Sequence, residues 1–186
     1  MFNQVYDLII AGAGPAGAAC ALKLKDSGLK ILLVDKAVFP RDKICGDALS
    51  VDVLNQLPDL SPTLLSEIEN FSGKTPSHGV RIIAPSGNHI DIPFFYKGQR
   101  RPGFICRRKD FDHLLIKEIL KYPSIDFLCN CEIKEVTTFD THVVVSTNQG
   151  EFEAKMIAAA DGAQSIVSRK LAGSKILKEH HSAGLR

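Results

Sequence analysis

The chain has 186 residues, 45% of them hydrophobic, with 23 Lys and Arg against 21 Asp and Glu for a formal charge of +2. That size and apolar content suffice for a buried core, and the charge balance argues against nucleic acid or an anionic membrane as the main partner. No apolar run approaches the ~20 residues of a membrane span, and five cysteines without a Cys-x-x-Cys pair fit free thiols, so a soluble cytoplasmic protein is expected.

Val5 to Ala11 read as a buried strand that runs into the Gly-x-Gly-x-x-Gly turn Gly12-Ala-Gly14-Pro15-Ala16-Gly17. Asp7 interrupts this apolar stretch and no basic region precedes it, so a signal peptide is not expected. A helix follows from Pro15 to about Asp26, with Pro15 at the first helical position, where a missing N–H is harmless. Its predicted buried stripe is Ala16, Ala19, Cys20 and Leu24, and Ser27-Gly28 ends it. A second strand, Lys30 to Asp35, completes a βαβ unit and ends on an acid. In such a unit Gly12 permits the tight turn, Gly14 leaves room for a pyrophosphate, and Gly17 lets helix and strand approach. The helix N-terminus offers N–H groups and partial positive charge to phosphates. Asp35 stands 18 positions after Gly17, where an acid can accept a ribose hydroxyl.

Beyond Asp35 the strand–helix alternation breaks. Phe39-Pro-Arg-Asp-Lys-Ile-Cys45-Gly46 is a charged loop, and helices are predicted over about Ala48 to Leu57 and Pro62 to Glu69. Gly79 to Ala84 and His89 to Phe94, joined by Pro85-Ser-Gly-Asn88, read as a hairpin. A short strand, Gly103 to Cys106, leads into an amphipathic helix from about Lys109 to Lys121, with Phe111, Leu114, Leu115 and Ile119 on one face. Strands are predicted at Ile125 to Cys129, Glu132 to Phe139, His142 to Thr147 and Glu151 to Ala160, then a short helix from Ser165 to Leu171. The six histidines show no metal-ligand spacing, and His180-His181 reads as a solvated loop. The fold class is therefore α/β, a Rossmann-like unit with antiparallel β insertions, closer to a flavin-binding than to a nicotinamide-only domain.

Three further positions each have two readings. Asp161-Gly162 ends a small-residue strand, where a carboxylate can take a ribityl or ribose hydroxyl; it can equally be a turn that caps the next helix. Cys45 follows a cationic loop and can sit against an aromatic cofactor ring, or be a partly buried loop cysteine. Arg107, within a loose basic cluster from Lys97 to Lys109, stands at a strand-to-helix junction where its fork can hold phosphate oxygens; the rest of the cluster reads as solvated surface.

Taken in order, Gly12-Ala-Gly-Pro-Ala-Gly17, Asp35-Lys36, Phe39-Pro-Arg-Asp-Lys-Ile-Cys-Gly46, Arg107-Arg-Lys-Asp-Phe-Asp112 and Asp161-Gly-Ala-Gln-Ser165 resemble the geranylgeranyl reductase family of FAD-dependent oxidoreductases. That family lies within the larger group of flavoprotein aromatic hydroxylases. The resemblance runs from Tyr6 to about Leu171, and the Lys–Cys-Gly loop is its most specific element, since flavin-dependent halogenases carry a histidine and Gly-Glu-Ser there. It implies that Gly12, Gly14, Pro15, Ala16 and Gly17 hold the FAD pyrophosphate, and that Asp35-Lys36 lies at the adenosine ribose. It further implies Cys45, Gly46 and Ala48 near the flavin or ribityl chain, Arg107 at the pyrophosphate or ribose, the backbone near Cys131 at the adenine, and Asp161 and Gly162 in a second nucleotide motif. Ser168 stands where the family often has Arg, which weakens a role for an arginine in guiding NAD(P)H.

The family's third flavin motif and its aromatic substrate motif have no counterpart here, and His180 to Arg186 resembles the start of another strand. The resemblance thus implies an incomplete substrate domain. Residues 1–72 and 105–175 would form the FAD-binding domain, 73–104 an antiparallel substrate-domain segment, and 176–186 the start of a truncated continuation. The implied activity is NAD(P)H-dependent reduction of an alkene in an isoprenoid chain, with a small isoprenoid or quinone-like substrate, peripheral membrane contact and no nucleic acid. Two alternatives stand: an FAD-dependent aromatic monooxygenase, and a non-catalytic dinucleotide-binding module.

Overall fold

The computed structural model describes residues 5–174 and residue 179; the histidine pair and nearly all of the predicted 176–186 continuation lie outside these. Strand β1 (Val5–Ala11), helix α1 (Pro15–Lys23) and strand β2 (Ile31–Val34) form the predicted βαβ unit. Ile9, Ile10, Ala11 and the whole of β2 are at most 1% exposed. Such unbroken apolar runs belong to parallel strands covered on both faces.

Helix α1 fully buries Gly17, Ala18, Ala21 and Leu22; of the predicted stripe, Cys20 and Leu24 pack half-buried against the core, Ala19 is half-buried and Ala16 is exposed. The close approach of Gly17 to the Gly12 carbonyl fixes the helix phase, so the inner face follows from position 17 and Ala16 is left exposed. A second correction concerns the helix expected from Ala48. Ala48–Leu49 is a short strand, β3, and α2 (Val51–Leu60) starts after it. Ser50 is the reason locally, because its Oγ accepts the Val53 N–H at 3.3 Å as an N-cap. The pairing of β3 is with residues more than fifty positions away, which no local pattern reveals.

Helix α3 (Leu64–Asn70) is followed by β4 (Lys74–Ser77), the hairpin β5 (Gly79–Ile83) and β6 (His89–Pro93), a second small hairpin of β7 (Phe95–Tyr96) and β8 (Gln99–Arg100), and β9 (Gly103–Cys106). In the first hairpin Val80 pairs with Ile92 and Ile82 with Ile90, all largely exposed, and the Arg81–Asp91 pair alternates with them. Strands β3, β9 and β4 form a separate antiparallel sheet. Helix α4 (Arg108–Ile119), β10 (Ile125–Leu128), β11 (Ile133–Thr138), β12 (Val143–Thr147), β13 (Gly150–Ala159) and α5 (Ile166–Leu171) complete the order.

The main sheet runs β10-β2-β1-β13-β12-β11, parallel through β13 and antiparallel beyond it. Alternate residues face opposite layers. Leu8, Ile10, Ile31 and Leu33 pack against the helices, while Ile9, Ala11, Leu32 and Val34 pack under Val136, Val143, Val145 and Val167. One register row aligns Ala11 with Val34, Leu128 and Ala159. The four chains therefore leave the sheet side by side. There β1 leads into α1 on one face and β13 into α5 on the other, and that divergence opens a crevice at the carboxyl edge.

Helix α4 is fastened to the α2–α3 junction by a buried Glu118. Its carboxylate accepts Ser61 Oγ at 2.6 Å, Thr63 Oγ1 at 3.2 Å, Tyr122 OH at 3.1 Å and Lys121 Nζ at 2.5 Å. Burial pushes its pKa up, but the bonds from Lys121, Ser61 and Tyr122 outweigh burial and hold it below the ordinary 4.5. Glu118→Gln should therefore cost about 1 kcal/mol at neutral pH, since the Lys121 it leaves unpaired is half exposed. A lowered folded pKa gives stability that is present above pH 4.5 and lost as pH falls through the folded value. Urea titrations of wild type and variant should converge on acidification; curves that stay parallel to pH 3 would contradict this account.

Candidate functional site

At the carboxyl edge of the sheet three backbone segments touch. Gly12 has φ +95°, and a Cβ there would enter the Ala160 carbonyl; a Cβ on Gly17 would overlap the Gly12 carbonyl oxygen. Gly12 N–H donates to Val34 O and Ala160 N–H to Ala11 O, both at 2.8 Å, so the turn is stitched to both neighbouring strands. Gly14 differs. It is the extended N-cap of α1, no side chain caps the helix, and a Cβ there would meet only Arg41 Nη2 at 3.5 Å and Arg108 Nη2 at 3.8 Å. The glycine at position 14 thus keeps open a space that faces two guanidinium groups and the first-turn N–H groups of α1.

Two acids flank this space. Asp35 follows β2; its Oδ2 accepts the Ala13 N–H and its Oδ1 the Ala37 N–H, each at 2.8 Å. Each oxygen retains capacity for a further donor. Asp161 follows β13; its Oδ2 accepts the Ile166 N–H at 2.8 Å, while its Oδ1 is buried without a hydrogen-bond partner. The helix-capping and ligand-facing readings of Asp161 are therefore compatible, one for each oxygen. A cleft of about 540 Å³ runs from Cys131 and Glu132 past Asp35, Lys36, Gly12 and Gly14 to Asp161, Gly162 and Gln164. Cys131 is buried, and its N–H donates to Asp35 O at 2.9 Å.

The predicted residues thus divide. Gly12, Gly14, Asp35, Lys36, Cys131, Asp161 and Gly162 line one cleft. Pro15, Ala16 and Gly17 form the first turn of α1 behind it. Cys45, Gly46, Ala48 and Arg107 lie outside its walls; Ala48 pairs with Ile105, and Arg107 is the exposed N-cap of α4. Arg108 is the arginine that faces Gly14. It forms a two-point bond to the fully buried Asp112, Nε to Oδ1 at 2.7 Å and Nη2 to Oδ2 at 2.8 Å. Arg41 also approaches Asp112 Oδ2, at 3.2 Å, and its guanidinium lies 5.0 Å from the Phe39 ring centroid. Sequence reasoning missed Arg41, Arg108 and Asp112. The four-residue spacing of Arg108 and Asp112 was a legible signal, whereas Arg41 gave none.

Cys45 feels the charge of the same cluster. The Asp47 backbone N–H, helped by the Arg108 guanidinium and opposed by burial, holds its thiol below the ordinary 9.0. Asp47 is pinned in turn, its carbonyl accepting the Cys106 N–H at 2.8 Å and its Oδ1 the Arg108 N–H at 3.2 Å. Cys106 is pushed up to about 11, chiefly by burial. Among the described residues no group of three or more His, Cys, Asp or Glu could hold a metal ion, and no helix is long and apolar enough to cross a membrane.

Comparison with known proteins gives the cleft a context: residues 5–184 match the FAD binding domain family. The chain belongs to that family. It is 29% identical over 177 residues to a 1H-pyrrole-2-carbonyl peptidyl-carrier-protein brominase of Pseudoalteromonas luteoviolacea, covering 91% of this chain and 41% of the relative. It is 29% identical over 191 residues to a digeranylgeranylglycerophospholipid reductase of Methanococcus vannielii, covering 96% and 43%. The chain therefore spans about two fifths of the length of these relatives. A solved structure of a variant of the halogenase PltM in complex with FAD superposes with a TM-score of 0.73 at 26% identity, over 90% of this chain and 36% of that one. The residues present fit FAD: a glycine turn cleared of side chains, a buried carboxylate oxygen without a partner, and two guanidinium groups beside the turn.

Three expectations follow from this geometry. Gly14→Ala should leave the melting temperature within about 2 °C, because the methyl meets only ordinary contacts, yet weaken FAD binding at least about tenfold by filling the cradle. Gly17→Ala should instead cost about 3 kcal/mol, read as a lowered denaturation midpoint. In thiol alkylation of the folded chain, Cys45 should react first, with half-maximal rate below pH 9, while Cys106 stays unmodified. Peptide mapping that finds Cys106 labelled ahead of Cys45 would refute the thiol assignment.

Proposed function

We propose that this chain is the FAD-holding portion of an NAD(P)H-dependent flavin oxidoreductase that reduces an alkene in an isoprenoid or quinone-like chain. The observation that carries the reductase reading is the loop Lys43-Ile-Cys45-Gly46, whose thiol is kept below its ordinary pKa by the Asp47 N–H and Arg108. The similarity to a digeranylgeranylglycerophospholipid reductase over most of the chain supports it.

In this reading the Gly12–Gly17 turn and the N-terminus of α1 receive the diphosphate, and Arg41 and Arg108 neutralise it. Asp35 turns its remaining lone pairs to the adenosine ribose, and the wall at Cys131 meets the adenine. Asp161 Oδ1 accepts a ribityl hydroxyl, which relieves its burial without a donor. When bound, FAD supplies hydride acceptance from a nicotinamide and delivery to the alkene. The chain's own part is binding, orientation and exclusion of water, and none of its side chains is assigned as a general acid or base.

The chain purified from cells should carry a flavin spectrum or acquire one with added FAD. A colourless protein that binds NAD but not FAD would overturn the cofactor reading. The complete enzyme should oxidise NADPH anaerobically in step with saturation of a geranylgeranyl lipid. Turnover that requires oxygen and yields a hydroxylated aromatic product would replace the reductase with a monooxygenase.

A further inference from the structure

The binding roles above leave Asp112 without a task, although its placement is the least expected in the molecule. Its side chain is wholly buried, on the same face of α4 as Phe111, Leu115 and Ile119. A carboxylate in such a place persists only when it is paired and fully hydrogen-bonded. Its partners come from separate elements: Arg108 opens α4, and Arg41 lies in the loop after β2. The two arginine side chains are themselves only 14% and 16% exposed. Two cations so close would repel each other in a partly desolvated site. Asp112 takes both.

The arrangement has a direction. Arg41 Nη2 and Arg108 Nη2 converge on the point where a Gly14 Cβ would stand, at 3.5 and 3.8 Å. Arg41 Nη1 is buried and lacks a hydrogen bond, because it lies near Asp112 Oδ2 without being aligned to it. An Arg fork discriminates phosphate oxygens by geometry, so its value depends on being held still.

We propose that Asp112 is a positioning residue that fixes Arg41 and Arg108 as a paired clamp for a diphosphate over Gly14. The inference rests on the FAD reading given above. Its physical content is a sign. On charge alone, Asp112 weakens anion binding, because it cancels one of the two positive charges. As a positioning group it strengthens binding, because it prevents the forks from separating and turning to solvent. The two effects oppose, and removal of the charge without change of shape tells which one governs.

The test is Asp112→Asn, with FAD and ADP titrated by calorimetry into wild type and variant, and folding followed by circular dichroism. Affinity for both ligands should fall, by about tenfold to a hundredfold on the scale set by groups that orient a binding residue. In an Arg41→Met, Arg108→Met background the same substitution should no longer lower affinity, since no forks remain to be held and only the repulsion between Asp112 and the diphosphate is lost. Arginine Nε–H signals in nitrogen-edited NMR of the ligand-free chain should include a slowly exchanging Arg108 resonance that the variant loses. An Asp112→Asn protein that binds FAD as tightly as wild type, or more tightly, overturns the proposal. So does an undiminished loss of affinity in the double-methionine background. If Asp112→Asn does not fold, Arg41→Lys keeps the charge and removes the fork; unchanged affinity there overturns the clamp equally. A wild-type chain that binds neither ligand refutes the FAD reading itself, which separates the two failures.

Discussion

The structure depends on a place where main chain crosses main chain with no side chain between. Gly17 lies against the Gly12 carbonyl, and Gly12 lies against the Ala160 carbonyl. These contacts seat α1 on β1 and bring the end of β13 beside the end of β1, although the two strands are separated by most of the sequence. The helix N-terminus, two strand-end carboxylates and an open cradle at Gly14 then share one edge. A bulkier residue at either crossing would force the helix away and widen the cleft into open surface. The same approach sets the rotation of α1, which is why its buried face begins at Gly17.

Helix α4 supplies the second constraint. It buries two carboxylates on its inner side, and each joins partners on or next to α4 to partners from a distant segment. Glu118 draws in Ser61, Thr63, Lys121 and Tyr122 and locks the α2–α3 junction. Asp112 draws in Arg41 and Arg108 beside Gly14. Burial makes both groups demanding, since an unpaired charge there would be destabilising by several kcal/mol. One helix thus ties the packing of the α2–α3 region to the electrostatics of the cleft through the same physical device.

Much of this was legible in the chain itself. The βαβ unit, the β5–β6 hairpin and the late run of strands follow from apolar periodicity and turn residues, which are local properties. Asp35 and Asp161 were identifiable because each ends an apolar strand run. The face of α1 was legible only in part, at Cys20 and Leu24, because alanine and glycine carry so little hydrophobic contrast that the period could not fix the phase. Ala48–Leu49 read as helix because its strand partner is remote, at Phe104–Ile105. Arg107 and Arg108 are adjacent and chemically identical, so only the direction in which α4 begins decides that the second faces Gly14.

By itself the sequence determined an α/β dinucleotide-binding architecture, since glycine spacing, strand runs and a terminal acid are constraints on adjacent backbone. It also determined which strands end in carboxylates. Only the tertiary structure decided that Ala11, Val34, Leu128 and Ala159 share a row, that Asp161 gives one oxygen to the helix and leaves the other buried without a partner, and that Arg41 meets Arg108 across Asp112. The physical reason is range. Backbone conformation is set by neighbours along the chain, whereas the pairing of buried charges is set by whichever groups the fold brings within hydrogen-bond distance, and that is a property of the whole packing.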